Sequence, residues 1–344
     1  MWLSVRRYGL GSRALFPRYA TWLVIALGML FGLLNGVQDS GSLTAAVICS
    51  GAVGPRKALL LAAAAQLAGA LLVGVAVART IGQGIVVTGL VTPLVVLAAL
   101  LGAVTWNLVA WSLGLPASAS HALIGALVGA AWSQSGPQAI ALSGLRTVLL
   151  ALLLSPWIGF VASYLLMKLL ILLLQGATPR VGSRLQKMQW LLAPALAFGH
   201  GANDAQKVMG IVALGLVALG ALPSFFIPLW LQVAAALSLA TGTSLGGWRV
   251  LRTLGLRLYR IRPIHGFASQ AAAALVIVAS SAAGAAVSTT QVIGASIAGA
   301  GSAQRLSQVR WGVIGNIVAA WLLTVPAAGA LAALFVWTLR PLVG

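Results

Sequence analysis

Apolar runs long enough to cross a bilayer recur from about residue 20 to residue 338 of this 344-residue chain, and they leave few folds open. They fall at about 20–53, 57–79, 91–113, 117–132 and 145–174, and again at about 190–222, 225–246, 267–284, 287–301 and 310–338. Hydrophobic residues make up 60% of the sequence and charged residues 7%, a balance that no soluble domain needs. Backbone groups in lipid must be satisfied within the chain, so the expected class is an all-α polytopic membrane protein. The formal charge of +19 does not argue for nucleic acid, because the basic residues sit at segment ends and in short loops. A lone Cys49 forms no intramolecular disulfide and fits no metal cluster.

Only two side chains are acidic, Asp39 and Asp204, and both lie inside apolar segments. Each sits in a similar setting, NGVQDSGS (35–42) and HGANDAQK (200–207). A carboxylate at membrane depth costs roughly 2.5–3.5 kcal/mol on insertion scales, so each is a candidate for ion handling. Sodium or a proton could be taken up there, with Asn35 and Asn203 as further oxygen ligands. Glycines at 36, 41, 199 and 201 flank these aspartates, and the expectation is that both helices break there, freeing backbone groups around a central site.

The chain reads as a duplication. Asp39 precedes PASASHALIGALVG (116–129) by about the distance that separates Asp204 from AVSTTQVIGASIAG (286–299). A period of about 165 to 170 residues suits two-fold pseudosymmetry rather than a solenoid. The division is a basic N-terminal segment (1–19), a first transmembrane repeat (20–174), a basic loop between repeats (175–189) and a second repeat (190–340). Arg6, Arg7, Arg13 and Arg18 read as a topological anchor, since cleavage after them would cut into the Asp39 segment.

The runs at 117–132 and 287–301 are short for a full crossing, and each is expected to be half of a re-entrant hairpin. Their starts are rich in hydroxyls: Ser118 and Ser120 in one, Ser288, Thr289 and Thr290 in the other. Such side chains cap helices, while the free amides and positive dipole end beside them suit an anion. His121 could donate to that anion or cap its helix, and His200 could orient the Asn203–Asp204 turn. Lys207 could pair with Asp204 one turn away or extend to the interface. GAVGPRK (51–57) has the wrong spacing for a nucleotide phosphate loop, so ATP coupling is not expected. Arg249, Arg252, Arg257, Arg260 and Arg262 read as a basic loop at the membrane surface.

The segments FGHGANDAQKVMGIVALGLV (198–217), WNLVAWSLGLPASASHALIGALVGA (106–130), GTSLGGWRVLRTLG (242–255) and RLSQVRWGVIGNIVAAWLLTVPA (305–327) closely resemble the inorganic phosphate transporter family, in particular its bacterial members. The resemblance runs from about residue 20 to 338. It implies two inverted repeats with broken helices and re-entrant hairpins, in a bacterial inner membrane. It also implies phosphate uptake coupled to sodium or protons, with no cofactor. The site residues implied are Asp39, Ser118, Ser120, His121, Asn203, Asp204, Ser288, Thr289 and Thr290 for substrate, and Asn35, Asp39, Asn203 and Asp204 for the cation, with sodium at the two aspartates. Gln38, Ser42, Gln291 and Gln270 replace the histidine, asparagine, histidine and glutamate usual in the family, each keeping polarity without a titratable group in the three positions that had one.

A dianion and two bare carboxylates repel by several kcal/mol at low dielectric, so bound phosphate requires a cation or proton at the aspartates. Some relatives move sulfate, which is the alternative substrate. The rival of another class is an intramembrane aspartic protease, which pairs two such carboxylates but lacks a duplicated hydroxyl-rich turn. The bilayer is the expected surrounding, and a homodimer is compatible with the sequence.

Overall fold

The computed structural model describes residues 10–343 apart from Pro116 and Pro179; the first nine residues of the basic N-terminal segment therefore lie outside it. Among the described residues, twelve α-helices follow one another: α1 (Leu10–Cys49), α2 (Pro55–Leu72), α3 (Ala76–Gly84), α4 (Pro93–Ser112), α5 (Ala119–Ser135), α6 (Leu142–Leu173), α7 (Arg180–Ala218), α8 (Leu229–Leu245), α9 (Trp248–Leu251), α10 (Pro263–Ala282), α11 (Thr289–Gln304) and α12 (Trp311–Val343). A π-helical turn, Arg252–Arg257, extends α9. Among the described residues, five helices are long and apolar enough to cross a membrane, or up to seven if the bent pairs α2–α3 (72°) and α8–α9 (59°) are each one span. This is a multi-pass, all-α membrane protein.

The helix lengths run 40, 18, 9, 20, 17 and 32 residues in α1 to α6. In α7 to α12 they run 39, 17, 4, 20, 16 and 33. Pro156 in α6 and Pro326 in α12 stand at corresponding places. Helices α1 and α7 lie side by side and antiparallel: Ser50 bonds Gln189 at one level, Asp39 meets His200 at the next, and Gly28 abuts Val212 further along. Most of α7 is sheathed in protein, with every residue from Gly199 to Leu216 buried. That burial explains why a helix carrying His200, Asn203, Asp204, Gln206 and Lys207 can sit at the centre of an apolar protein.

Both aspartate-bearing helices are continuous, contrary to the expected breaks at their glycines. The glycines serve close packing instead. A Cβ on Gly36 would lie 2.1 Å from the Leu239 carbonyl oxygen, and one on Gly201 would lie 2.1 Å from that of Gln66. The contacts cross between halves: a Cβ on Gly69 of α2 would lie 1.9 Å from the Phe198 carbonyl oxygen of α7, and one on Gly242 of α8 would lie 2.0 Å from that of Leu33 of α1. Without a solvent-driven hydrophobic effect in lipid, such close backbone approach is what holds helices together. The bends lie elsewhere, at α2–α3 and α8–α9. The basic stretch 175–189, expected as a loop, is helical from Arg180 onward, and Arg249, Arg252 and Arg257 lie on α9 and its π turn.

The short helices α5 and α11 follow α4 and α10 through tight connections, giving two helical hairpins. The turn of each hairpin is held by the opposite half: Thr80 of α3 donates to Gly284 O (2.8 Å), and Thr253 of the π turn donates to Gly114 O (3.4 Å). α6 and α12 are the least covered spans, each with 28% of its most apolar window buried, and they carry exposed Leu153, Leu165, Leu322 and Trp337. Gly242→Ala is expected to lower Tm by several degrees, at about 1–3 kcal/mol for overpacking against backbone, whereas Gly315→Ala, facing open space, leaves Tm unchanged or raised. Thermal unfolding of the detergent-purified protein checks both.

Candidate functional site

The hairpin tips meet head to head at the centre. Ser118 caps α5 by accepting from His121 N (3.2 Å), and Ser288 caps α11 by accepting from Gln291 N (3.4 Å). The two caps then bond each other, Ser288 Oγ to Ser118 Oγ at 2.8 Å, joining positions 170 residues apart. Two positive helix ends therefore converge on one buried spot. The first amides of each helix, at Ala119, Ser120, Thr289 and Thr290, have no carbonyl one turn earlier to bond.

Beneath the tips lie the two carboxylates, both 1% exposed. His200 bridges them: its Nε2 is 3.1 Å from Asp39 Oδ2 and 3.0 Å from Asp204 Oδ2. Thr290 donates to Asp39 Oδ1. Asp204 Oδ2 also accepts from Thr289 Oγ1 (2.9 Å) and Asn35 Nδ2 (3.4 Å), while its Oδ1 is bonded by Lys207. The threonine hydroxyls thus point to carboxylates, and what the helix ends leave for an anion is backbone amide. The ligand atoms of Asp39, His200 and Asp204 all lie within 4.8 Å of one another.

Gln66 of α2 completes the bridge, its amide 2.8 Å from His200 Nδ1. With the amide nitrogen toward the ring, Gln66 donates to Nδ1 and the single ring proton lies on Nε2, facing both carboxylates. With the amide oxygen toward the ring, Gln66 accepts from a protonated Nδ1 and the ring is an imidazolium. The site therefore accommodates the histidine with one proton or two. α2 comes this close because Gly201 has no side chain to collide with the Gln66 backbone.

The sequence-derived residues are brought together with some changes of part. Asn35, Asp39, Ser120, Asp204, Thr289 and Thr290 are linked through His200 and Lys207 into one polar cluster, while Ser118 and Ser288 form a separate pair at the helix tips. The Asn203 amide instead ties α7 to the second hairpin, donating to Ser281 Oγ (3.1 Å) and Ala285 O (3.1 Å), and its Oδ1 has no protein partner. The Ser120 hydroxyl donates to Val287 O (3.1 Å) and accepts from Lys207, so only its backbone amide is free for a ligand. His121 stands at the edge, bonded to Ser118 (2.8 Å) and near Gln291 (3.4 Å), where both help line a cleft of about 620 Å³ between α6, α11 and α12. Lys207 is buried and paired, not extended toward an interface. Gln66 was missed, although a single polar residue in the α2 run LLLAAAAQLAGALL was a signal of a buried partner.

Several buried oxygens of the α1 motif have no protein partner: Asn35 Oδ1, Gln38 Oε1 and Ser42 Oγ. Buried polar atoms are nearly always bonded, so unmet ones flanking a carboxylate mark capacity for water, an ion or a substrate. On the outer rim, Arg260, Arg262 and Arg310 line a pocket with Cys49, Ser50 and Pro263. Arg56 and Lys57 begin α2 just after that rim, and Gln189 beside Ser50 places the basic start of α7 there too. One face of the protein is therefore strongly basic.

The model of the phosphate transporter family matches residues 35–181 and 174–332. A "Probable low-affinity inorganic phosphate transporter" of Rhizobium meliloti is 41% identical over 313 residues, covering 90% of this chain and 94% of the relative. A protein of the same description from Bacillus subtilis is 35% identical, covering 91% and 95%. Among solved structures, one described as "The sodium-dependent phosphate transporter" superposes with a TM-score of 0.84 at 22% identity, covering 94% of this chain and 99% of the other, a likeness of fold. These relatives are described as transporters and not as enzymes, which removes the protease reading. The chain belongs to the phosphate transporter family.

Proposed function

We propose that this protein is a secondary transporter that moves inorganic phosphate across the membrane together with a cation, either sodium or a proton. The observation that carries the reading is the stacking of two unlike charge systems: two helix N-termini meeting tip to tip over a bridged pair of buried carboxylates. The upper part suits a tetrahedral oxyanion, which backbone amides and helix dipoles bind well. The lower part suits a cation. Two unit charges 4 Å apart interact by about 4 kcal/mol at an effective dielectric of 20, so an anion arriving beside an uncompensated carboxylate is repelled unless a cation arrives too. Coupling follows from that repulsion.

Both ions find suitable groups. Sodium prefers oxygen, available from Asp39, Asn35 and the unpaired Gln38 and Ser42. A proton finds His200, whose second site Gln66 can accommodate by turning its amide. Sulfate has the same shape and remains the alternative anion; the family and the relatives favour phosphate. The antiparallel packing of α1 against α7 supports halves of inverted topology, and rocking of those halves would expose the centre to each side in turn. The expected location is a bacterial inner membrane with the basic face toward the cytoplasm.

Uptake by purified protein in liposomes, under separate sodium and proton gradients and with sulfate as competitor, tests the reading. Phosphate accumulation driven by one gradient is expected, and its absence under both overturns the proposal. Asp39→Asn and Asp204→Asn should each abolish gradient-driven uptake while the protein remains folded in the membrane. Gln66→Leu leaves a buried imidazole nitrogen unpaired, at about 1–3 kcal/mol, and is expected to lower both Tm and uptake per folded molecule. Normal uptake in that variant would remove Gln66 from the mechanism.

A further inference from the structure

Among the buried differences between the two aspartate motifs, one introduces a lysine. Three residues after Asp39 stands Ser42, and three residues after Asp204 stands Lys207. We infer that the Lys207 ammonium is a tethered cation filling an oxygen-lined alkali-metal site beside Asp204, so that a free coupling ion is taken only on the Asp39 side. This rests on the reading of the protein as a cation-coupled transporter and names which half of the centre does the coupling.

The surroundings of the ammonium carry the inference. Lys207 is 1% exposed, and its Nζ contacts three oxygens of three kinds: the Asp204 carboxylate, the Ser120 hydroxyl (2.5 Å) and the Val287 carbonyl (2.6 Å). A lysine ammonium has three N–H donors and no acceptor, so these three partners saturate it. None is left for an anion, which excludes Lys207 as a direct phosphate ligand in this arrangement. A carboxylate, a hydroxyl and a backbone carbonyl closing around one point are also what a hard cation takes, at about 2.3–2.6 Å for an ion the size of calcium, which sodium matches. The ammonium supplies the same single positive charge without leaving.

The Asp39 side has no such resident charge. Its protein partners are Thr290 and His200, and the buried Ser42 Oγ at the place corresponding to Lys207 has no partner at all. Asp204 is therefore neutralised by the chain itself, while Asp39 depends on an ion that enters or on a second proton at His200. Lys207 also joins α7 to both hairpin tips, through Ser120 at the start of α5 and Val287 before α11. A purely structural pin would do that as well, so the test must read ion selectivity rather than stability alone.

The measurement is thermal unfolding of full-length protein in detergent, in sodium chloride against choline chloride at equal ionic strength. Asp39→Asn, which keeps Lys207, is expected to show no sodium-specific rise in Tm. Adding Lys207→Ala, or Lys207→Ser to copy the residue of the other half, is expected to restore a sodium-specific rise of several degrees, and Asp204→Asn on top should abolish it. A sodium-specific rise already present in Asp39→Asn alone overturns the inference. So does its absence from both double variants, or their failure to fold in sodium as well as in choline, because a free ion should replace a tethered one. Sodium binding is read without transport: if the double variants gain the site while the unsubstituted protein moves no phosphate in liposomes, this inference stands and the transport reading falls, and the reverse pattern loses only this one.

Discussion

Two carboxylates held about 3 Å from one imidazole, inside a protein with no other acidic group, set the terms for the rest of the structure. Burying an unpaired charge costs several kcal/mol, so each carboxylate oxygen must be met by a donor. The donors come from all over the chain: Asn35 from α1, His200 and Lys207 from α7, Thr289 and Thr290 from α11, with Gln66 of α2 behind the histidine. None of these elements can move far without leaving a charge or a polar atom unmet. The centre is therefore the reason that four helices drawn from both ends of the chain share one register.

Glycine makes that convergence geometrically possible. Gly36, Gly69, Gly201 and Gly242 let backbones approach until a single added carbon would collide with a carbonyl. This brings Gln66 to His200 and brings α8 onto α1. The same economy recurs at the periphery, where Gly129 meets Gly329 and Gly299 meets Phe160, each at 2.3 Å from a notional Cβ to a carbonyl oxygen. Packing of small residues and neutralisation of charge are thus one problem solved together: the helices come close, and closeness supplies the donors.

Much of this was legible beforehand. Two acidic residues in apolar runs, repeated hydroxyl-rich turns and segments too short to cross pointed to the cluster and to the hairpins, because the cost of a buried charge and the length of a bilayer crossing are properties of composition. The continuity of α1 and α7 was not legible. A glycine beside an aspartate reads equally as a break or as a contact, and only the facing helix distinguishes them. The part played by Asn203 shifted for a similar reason: next to Asp204 in sequence, its side chain turns to the α10–α11 connection instead.

By itself the sequence determined that the chain is all-α and membrane-embedded, and it singled out Asp39 and Asp204 as its only two acidic side chains, each inside an apolar segment. Those conclusions depend on residue type and spacing, which local physics reads directly. The tertiary structure decided who neutralises whom: His200 between the aspartates, Lys207 saturated by Asp204, Ser120 and Val287, and the threonines turned to carboxylates rather than to the anion. These are pairings across as many as 251 residues of chain, and the energy of a charge in a low-dielectric interior depends on its neighbours in space, not on its neighbours in sequence.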